Sequence, residues 1–286
     1  MATDPFPSVR RRRLGAELRR LREAKDLTCQ DVAEALDSHY SKISRVEMGK
    51  SSIRRPDLRA MLDLYGLDDE KRREALERLA AESRTRGWWQ KYGDTIPPAY
   101  ADFISMEAAS AKIQSFALAL VPGLLQVPEY SREIILAGLQ VPSPVEVQQL
   151  VDVRVARQAR LTEGEPVELQ AIICESVLRQ NIGGPAVMRK QLEYLLEASE
   201  LPNVTLLVLG DGAGAHPGLH GSFVVLSFHE ESDLDVVLVE NLTSSLYFEN
   251  REEIARYRWA FERNLAAANS PVHSAQMIQS AIRNLE

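Results

Sequence analysis

The side chains between residues 39 and 50 have the types and the spacing that a surface for reading nucleic acid requires. In a helix from about His39 to Met48, Ile43 and Val46 are three residues apart and must face a core. The opposite face then carries hydrogen-bond donors and acceptors, concentrated in the first turns: His39, Tyr40, Ser41, Lys42, Ser44 and Arg45. Arginine can contact guanine with two hydrogen bonds, and hydroxyls or lysine can contact bases or phosphates. The pattern predicts a helix that enters the major groove of DNA.

Helices that could position this one are predicted on both sides of it. Leu14, Leu18 and Leu21 recur at helical spacing, and Thr28 with Asp31 has the sequence pattern of a capping box. A glycine at position 49 ends the DNA-reading helix. The other predicted helices cover residues 13–24, 28–36, 55–66 and 68–84. The last of these is heavily charged, and we expect it to connect two domains.

Charge is distributed unevenly along the chain. Residues 1–59 contain 14 Lys and Arg and 9 acidic residues, a net charge of +5. Because the whole chain has a net charge of −7, the remaining residues carry −12. A basic head on an acidic body suggests a polyanion-binding module joined to a domain with another task. The run Arg10–Arg13 fits an arm in the minor groove, or a solvated helix start with nonspecific phosphate contacts, which we favour.

Composition and cysteine usage exclude several classes of protein. A hydrophobic content of 45% with 26% charged residues is that of a globular chain, and the longest apolar stretch is too short to span a bilayer. The N-terminal sequence does not resemble a secretory signal. Cys29 and Cys174 lack a CxxC companion, which excludes a disulfide framework and a zinc finger and favours the cytoplasm. Because no GxGxxG, Gly-x-Ser-x-Gly or HExxH motif occurs, we expect neither a cofactor nor an enzyme activity.

A change of pattern near residues 85–96 predicts a second domain. Apolar, β-branched runs predict strands at 167–174, 203–210, 222–228 and 235–240. Helical patterns flank them at 98–112, 128–138, 144–161, 185–200, 250–267 and 272–285. The predicted fold is therefore multidomain. An all-α helix-turn-helix head covers 8–66, a connecting helix and linker cover 67–96, and an α+β or α/β domain with a small central sheet covers 97–286.

Two pairs of residues in the second domain could line a pocket. The glycine-rich segment 210–223 follows a predicted strand, where ligands often bind, and contains His216 and His220, although a structural loop is the alternative. A proline and a glycine break the helical spacing of the two histidines and no third ligand is near, so we expect no metal site. Glu175 and Arg179 are one helical turn apart, and we favour a buried ion pair over the polar floor of a pocket.

The segment LTCQDVAEALDSHYSKISRVEMGK (27–50) resembles the helix-turn-helix of the Xre family, the lambda-repressor-like regulators. At position 29 that family often has a glutamine, whose phosphate contact we expect Gln30 to make in this chain. The resemblance also implies a structural pair between Arg22 and Glu47. The resemblance and the outward face of the third helix together predict a set of DNA-contacting residues: Thr28, Gln30, His39, Tyr40, Ser41, Lys42, Arg45 and Lys50.

Residues 97–286 resemble an actinobacterial family that joins an Xre-type head to an antitoxin-like C-terminal domain. The matching segments cover 121–135, 151–161, 174–196, 201–228 and 236–250. The resemblance implies a cytoplasmic transcriptional regulator that binds a double-stranded DNA operator and forms a homodimer. Its second domain would dimerise and sense a ligand or a small protein encoded by an adjacent gene. The alternative is an antitoxin-like protein that mainly sequesters the small partner and regulates its own operon.

Overall fold

The protein divides into two compact units. The structure is a computed structural model that describes residues 9–82, 88–138, 142–228 and 235–285. Residues 1–91 and 97–106 belong to one unit, and residues 92–96 and 107–286 belong to the other. The predicted domain start at residue 8 and the predicted helix end near Arg84 lie outside the described residues.

The first unit contains the helical head. Its helices are α1 (Val9–Glu23), α2 (Cys29–Ala35), α3 (Tyr40–Glu47), α4 (Arg55–Leu64) and α5 (Glu70–Glu82). Leu18, Leu58 and Met61 are fully buried and form the centre of the head. The helix that was expected to connect two domains, α5, packs against α1 and α4. It buries four side chains of its own: Ala75, Leu76, Leu79 and Ala80.

A glycine allows α1 and α3 to approach each other closely. A Cβ atom added at Gly15 of α1 would lie 2.3 Å from the carbonyl oxygen of Glu47 in α3. Contacts this short do not occur between a Cβ and a backbone oxygen, so any side chain here would push the two helices apart. Gly15 therefore fixes the distance between the first helix and the helix predicted to read DNA.

The second unit is built on a mixed sheet. The strands are β1 (Lys112–Ala117), β2 (Glu168–Cys174), β3 (Val204–Leu209), β4 (Phe223–Ser227), β5 (Val236–Glu240) and β6 (Ser245–Phe248). Its helices are α7 (Pro128–Leu136), α8 (Pro144–Arg157), α9 (Glu175–Leu178), α10 (Pro185–Ser199), α11 (Arg251–Ala267) and α12 (Pro271–Arg283). One further helix, α6 (Pro98–Ala109), lies mostly in the first unit, and only its last residues belong to the second. Within the described residues, this confirms the predicted multidomain fold with an all-α head and an α+β domain.

The sheet has a parallel half and an antiparallel half. The strand order is β3-β2-β1-β4-β5-β6. β1, β2 and β3 run parallel, whereas β4, β5 and β6 are antiparallel to their neighbours. β1 and β6 are not among the strands predicted from the sequence. The helix predicted over 98–112 runs past the end of α6 and includes Lys112, which is the first residue of β1.

One face of the sheet packs against α11. Phe116 of β1, Phe223 of β4 and Val237 of β5 form a buried cluster with Ile254 and Phe261 of α11. At the edge of the sheet formed by β3, α10 and α12 pack against that strand. Among the described residues, no helix is both long enough and apolar enough to cross a membrane.

Candidate nucleic-acid interface

The start of α2 is fixed by a capping box. The backbone N–H of Asp31 donates to Oγ1 of Thr28 at 3.2 Å, and the backbone N–H of Thr28 donates to Oδ2 of Asp31 at 2.7 Å. Hydrogen bonds from the Thr28 side chain and backbone lower the pKa of Asp31. The exposed hydroxyl of Thr28 thus has a structural role as the helix cap, in addition to its predicted contact with DNA.

Two residues with positive φ set the limits of α3. Asp37, with φ of 46°, makes the turn from α2, and aspartate tolerates this conformation better than most residues. Gly49, with φ of 71°, ends α3, and the N–H of Lys50 then donates to the carbonyl of Arg45 at 2.8 Å. This is the glycine stop that the sequence predicts.

The inner and outer faces of α3 are separated as predicted. Ile43 and Val46 are buried in the head. Tyr40, Ser41 and Arg45 are exposed on the opposite face. His39 lies at the N-cap of α3, where its side chain makes no capping hydrogen bond and is exposed. The exposed face is therefore polar and aromatic, and no described side chain fills the space in front of it.

A buried ion pair holds α3 against α1. Nε and Nη2 of Arg22 donate to the two carboxylate oxygens of Glu47 at 2.7 and 2.9 Å. A third donor, Nη1, binds the carbonyl of Leu27 at 2.6 Å. The hydrogen bonds that Arg22 donates to Glu47 raise the pKa of Arg22, so the guanidinium stays charged. The structural pair that the Xre resemblance implies is confirmed.

The thiol of Cys29 faces this ion pair. Its Sγ lies 3.6 Å from Oε2 of Glu47 and donates to it. Burial, and then the charge of Glu47, raise the pKa of Cys29, so the thiol remains protonated at neutral pH. The exposed neighbour Gln30 donates through Nε2 to Glu34 at 2.8 Å.

The cations of the predicted interface are held in different ways. Nε of Arg45 donates to the carbonyl of Ser41 at 3.1 Å, which leaves its two terminal nitrogens without a partner among the described residues. Lys50 is exposed, beyond the end of α3. Lys42, by contrast, donates to Oδ2 of Asp57 at 2.8 Å. That hydrogen bond holds the pKa of Asp57 below its usual range.

Asp57 is a residue of this surface that the sequence does not predict. Its carboxylate also accepts a longer hydrogen bond from Nε of Arg54, at 3.4 Å. As an acidic residue in the first turn of α4, Asp57 interacts favourably with the helix dipole, and this local role can be predicted from the sequence. Its hydrogen bond from Lys42, 15 residues earlier, joins α3 and the start of α4, and no local sequence pattern reveals it.

The pocket candidates of the second domain form two separate sets of contacts. Glu175 accepts from Nη1 of Arg179 at 2.5 Å and from the backbone N–H of Asp211 at 2.9 Å, and Arg179 also pairs with Asp211. Arg179 is half exposed and Glu175 is only partly buried, so the favoured prediction of a buried ion pair is wrong, and the residues form a surface cluster at the carboxyl ends of β2 and β3. His216 instead lies beside Asn264.

His216 and its partner anchor the glycine-rich loop to α11. Nδ1 of His216 lies 3.3 Å from Oδ1 of the fully buried Asn264, which also accepts from the N–H of Gly218 at 3.1 Å. The His216 ring meets Phe116 edge to face at 6.0 Å between ring centroids. His220 is exposed, and no contact joins it to the other three candidates. The part of the chain that the structure describes contains no group of three or more metal-ligating side chains.

Two family models match the chain. One, described as a helix-turn-helix domain, matches residues 13–75, which include every residue predicted to contact DNA. The other, described as a domain of unknown function, DUF5753, matches residues 100–280, which is more than half of the chain. The chain belongs to the DUF5753 family. No curated protein and no solved structure matched it.

The DUF5753 domain and the helix-turn-helix domain divide the candidate residues between them. The sheet, α11 and the contacts of Glu175 and His216 all lie within the DUF5753 match. α3 and its outward polar face lie within the helix-turn-helix match. The helix-turn-helix domain indicates a DNA-binding regulator.

Proposed function

We propose that this protein is a sequence-specific transcriptional regulator of the Xre type, and that α3 reads its operator. The observation that carries the proposal is the exposed face of α3, where the terminal nitrogens of Arg45 are free to contact base edges. Ile43 and Val46 on the opposite face hold the helix to the head. The DUF5753 domain would then supply dimerisation and the response to a small partner protein or ligand.

Dimerisation is part of the proposal because one recognition helix reads too few base pairs to find a site in a genome. Regulators of this type present two helices to a palindrome, with half-sites about one helical turn, ~34 Å, apart or a multiple of it. The outward face of α3 is polar and offers little apolar surface for association. We therefore assign dimerisation to the DUF5753 domain.

Replacement of the base-reading arginine tests the proposal. Arg45→Ala should cost about 1–3 kcal/mol of operator affinity and relax base preference at one position per half-site, because a bidentate contact is lost. The measurement is selection of binding sites from random DNA with the purified variant, followed by titration of the selected operator. Arg59→Ala is the matched control, since Arg59 is an exposed arginine of α4 bound to Glu77. An Arg45→Ala protein with unchanged base preference would show that α3 does not read DNA through this residue.

The salt dependence of binding should reflect how many cations of the head reach phosphates. Lys42, Lys50 and Arg54 border the outward face of α3, and a dimer that used all three in each head would neutralise roughly six phosphates and show a log–log salt slope of roughly −5. This is the steepest slope expected, because Lys42 and Arg54 must first release Asp57. Lys50→Gln should reduce that slope by about 2 per dimer and lower affinity for all sequences alike. Fluorescence anisotropy with the selected operator between low and physiological salt measures the slope. A flat response would contradict DNA binding as the main function.

A further inference from the structure

A buried amide nitrogen of α11 can donate hydrogen bonds that the described chain does not accept. Asn264 is fully buried, and its Oδ1 accepts from the N–H of Gly218 at 3.1 Å and lies 3.3 Å from Nδ1 of His216. The N–H of Gly218 can only donate, so the carboxamide oxygen faces it, and Nδ1 of His216 carries a proton. Nδ2 of Asn264 has no partner among the described residues. A buried donor of this kind is costly unless an acceptor meets it.

The contacts of Asn264 lie where the strand order of the sheet reverses. From β1 the chain extends the sheet in one direction, to β2 and β3, and it then returns to the other side of β1 with β4. The loop that makes this return leaves the carboxyl end of β3 and passes over Phe116, near the carboxyl end of β1. In open sheets with parallel strands, ligands bind outside the carboxyl ends at such a reversal. The unpartnered nitrogen therefore lies where the topology favours a ligand.

The segment that covers Asn264, residues 214–221, buries little of its own surface and is called the strap below. The structure describes the whole strap, and within it Gly218 alone is buried, whereas Leu219 is 58% exposed. The strap begins and ends at glycines with positive φ, 73° at Gly214 and 133° at Gly221, where an added Cβ would meet nothing within 4 Å. A segment with so little buried apolar surface opens at low cost, and its terminal glycines can absorb the change of backbone direction.

The surface beneath the strap combines aromatic rings with hydrogen-bond donors. Gly218 packs so closely on Phe116 that an added Cβ would lie 2.1 Å from the ring. Phe223 stacks beside Phe116, with 5.8 Å between the ring centroids. A group inserted between the strap and this surface would meet three donors, Nδ2 of Asn264, the N–H of Gly218 and Nδ1 of His216, but a single acceptor, Oδ1 of Asn264. A carboxylate, which only accepts, fits this excess of donors, and a flat apolar body fits the rings.

We propose that Asn264 and Phe116 form the floor of a binding site for a small aromatic carboxylate, and that the strap opens to admit it. The proposal rests on the proposed function and names the class of ligand to which the DUF5753 domain responds. In this site Nδ2 of Asn264 and the N–H of Gly218 donate to the carboxylate, and the aromatic ring packs on Phe116. An aspartate at position 264 would accept both hydrogen bonds of the strap equally well. Nδ2 therefore has a use that holding the strap does not explain.

Titration of the full-length protein with benzoate, the smallest aromatic carboxylate, tests the site. Nitrogen–proton correlation spectra follow the backbone amide of Gly218 and the side-chain amide of Asn264. Both resonances should shift and saturate with a Kd of roughly 1 mM, which is ordinary for so small a ligand. Asn264→Asp keeps an acceptor for the strap but loses the donor and brings a second carboxylate to the site. It should weaken benzoate binding at least about tenfold.

Gly218→Ala should have the opposite effect on benzoate binding. The added methyl group has no room on Phe116 while the strap is closed, so the variant favours the open form. A ligand that binds the open form gains apparent affinity in proportion to the population of that form. Benzoate should therefore bind at least about threefold more tightly than to the wild type. Hydrogen exchange of the amide at position 218, without benzoate, should accelerate by a similar factor because it reports the same opening.

The control and the opposing outcomes separate this site from the proposed function. Asn241→Asp adds the same charge in the exposed turn between β5 and β6, where Oδ1 of Asn241 accepts two backbone hydrogen bonds, and should leave benzoate binding unchanged. Unshifted resonances of Gly218 and Asn264, or weaker binding to Gly218→Ala than to the wild type, would overturn the site and leave DNA binding intact. A protein that binds benzoate as expected but selects no DNA sequence would overturn the proposed function instead.

Discussion

Arg22→Ala should destabilise the head by about 3–5 kcal/mol, because it leaves a buried carboxylate without its partner. The side chain of Glu47 is only 4% exposed, and both of its oxygens accept hydrogen bonds from Arg22. Arg22 also satisfies the carbonyl of Leu27 ahead of α2. The variant should therefore loosen the contact between α1 and α3. Amide hydrogen exchange in those two helices, in mild denaturant, measures the change in opening free energy.

Arg19→Ala is the matched control for this result. Arg19 lies one turn earlier on the same helix and pairs with Glu23, but both side chains are more than half exposed. Its replacement should leave the stability of the head nearly unchanged, as for other surface ion pairs. If Arg22→Ala proved as stable as the wild type and lost base preference, Arg22 would be a DNA-reading residue and the assignment of the two arginines, Arg22 and Arg45, would be reversed.

Arg157→Ala should have an effect of similar size in the DUF5753 domain. Nε and Nη2 of Arg157 in α8 donate to the two carboxylate oxygens of Glu107 at 2.7 and 2.6 Å, and both side chains are 4% exposed. Removing the guanidinium leaves the Glu107 charge buried, which typically costs about 3–5 kcal/mol. Hydrogen exchange of the amides in β1 and β2 measures the loss.

Joint replacement of Glu107 and Arg157 distinguishes the cost of an unpaired charge from the cost of lost hydrogen bonds. Glu107→Leu combined with Arg157→Met fills the same space with apolar groups, and such exchanges are often neutral or stabilising. The double variant should recover most of the stability that Arg157→Ala loses. A double variant as unstable as the single one would show that the hydrogen bonds, rather than the isolated charge, account for the loss. Lys190→Ala, at an exposed ion pair with Glu129, should change little.

Local patterns predicted most of the elements of this fold. The capping box at Thr28, the glycine stop after α3 and the buried pair Ile43 and Val46 depend on residues close in sequence, and the structure contains all three. Four strands of branched apolar residues were also predicted. β1 and β6 were missed, since Lys112–Ala117 mixes polar and apolar residues and Ser245–Phe248 is only four residues long. Their pairing with β4 and β5 decides that they are strands.

Long-range partners within the site could not be predicted from the sequence. The exposure of Arg45 followed from helical periodicity alone. The hydrogen bond from Lys42 to Asp57 and the two contacts of Asn264 join residues 15 and 46 to 48 positions apart, so they depend on the folded arrangement. Glu175 and Arg179 pair, but at the surface rather than buried as expected, and Asp211 of the next loop joins them. Such contacts carry no periodic signal.

The pairing of Lys42 with Asp57 also affects how fast the protein could search a genome. A lysine that already holds a carboxylate gains little from an arbitrary phosphate, because each contact exchanges one partner for another. Arg55 and Arg59 are similarly engaged with Glu77. Nonspecific affinity depends mainly on phosphate contacts, so these internal acids shorten the dwell time on incorrect sites. Under the proposed function, the head would therefore leave incorrect sites sooner than a head with every cation free.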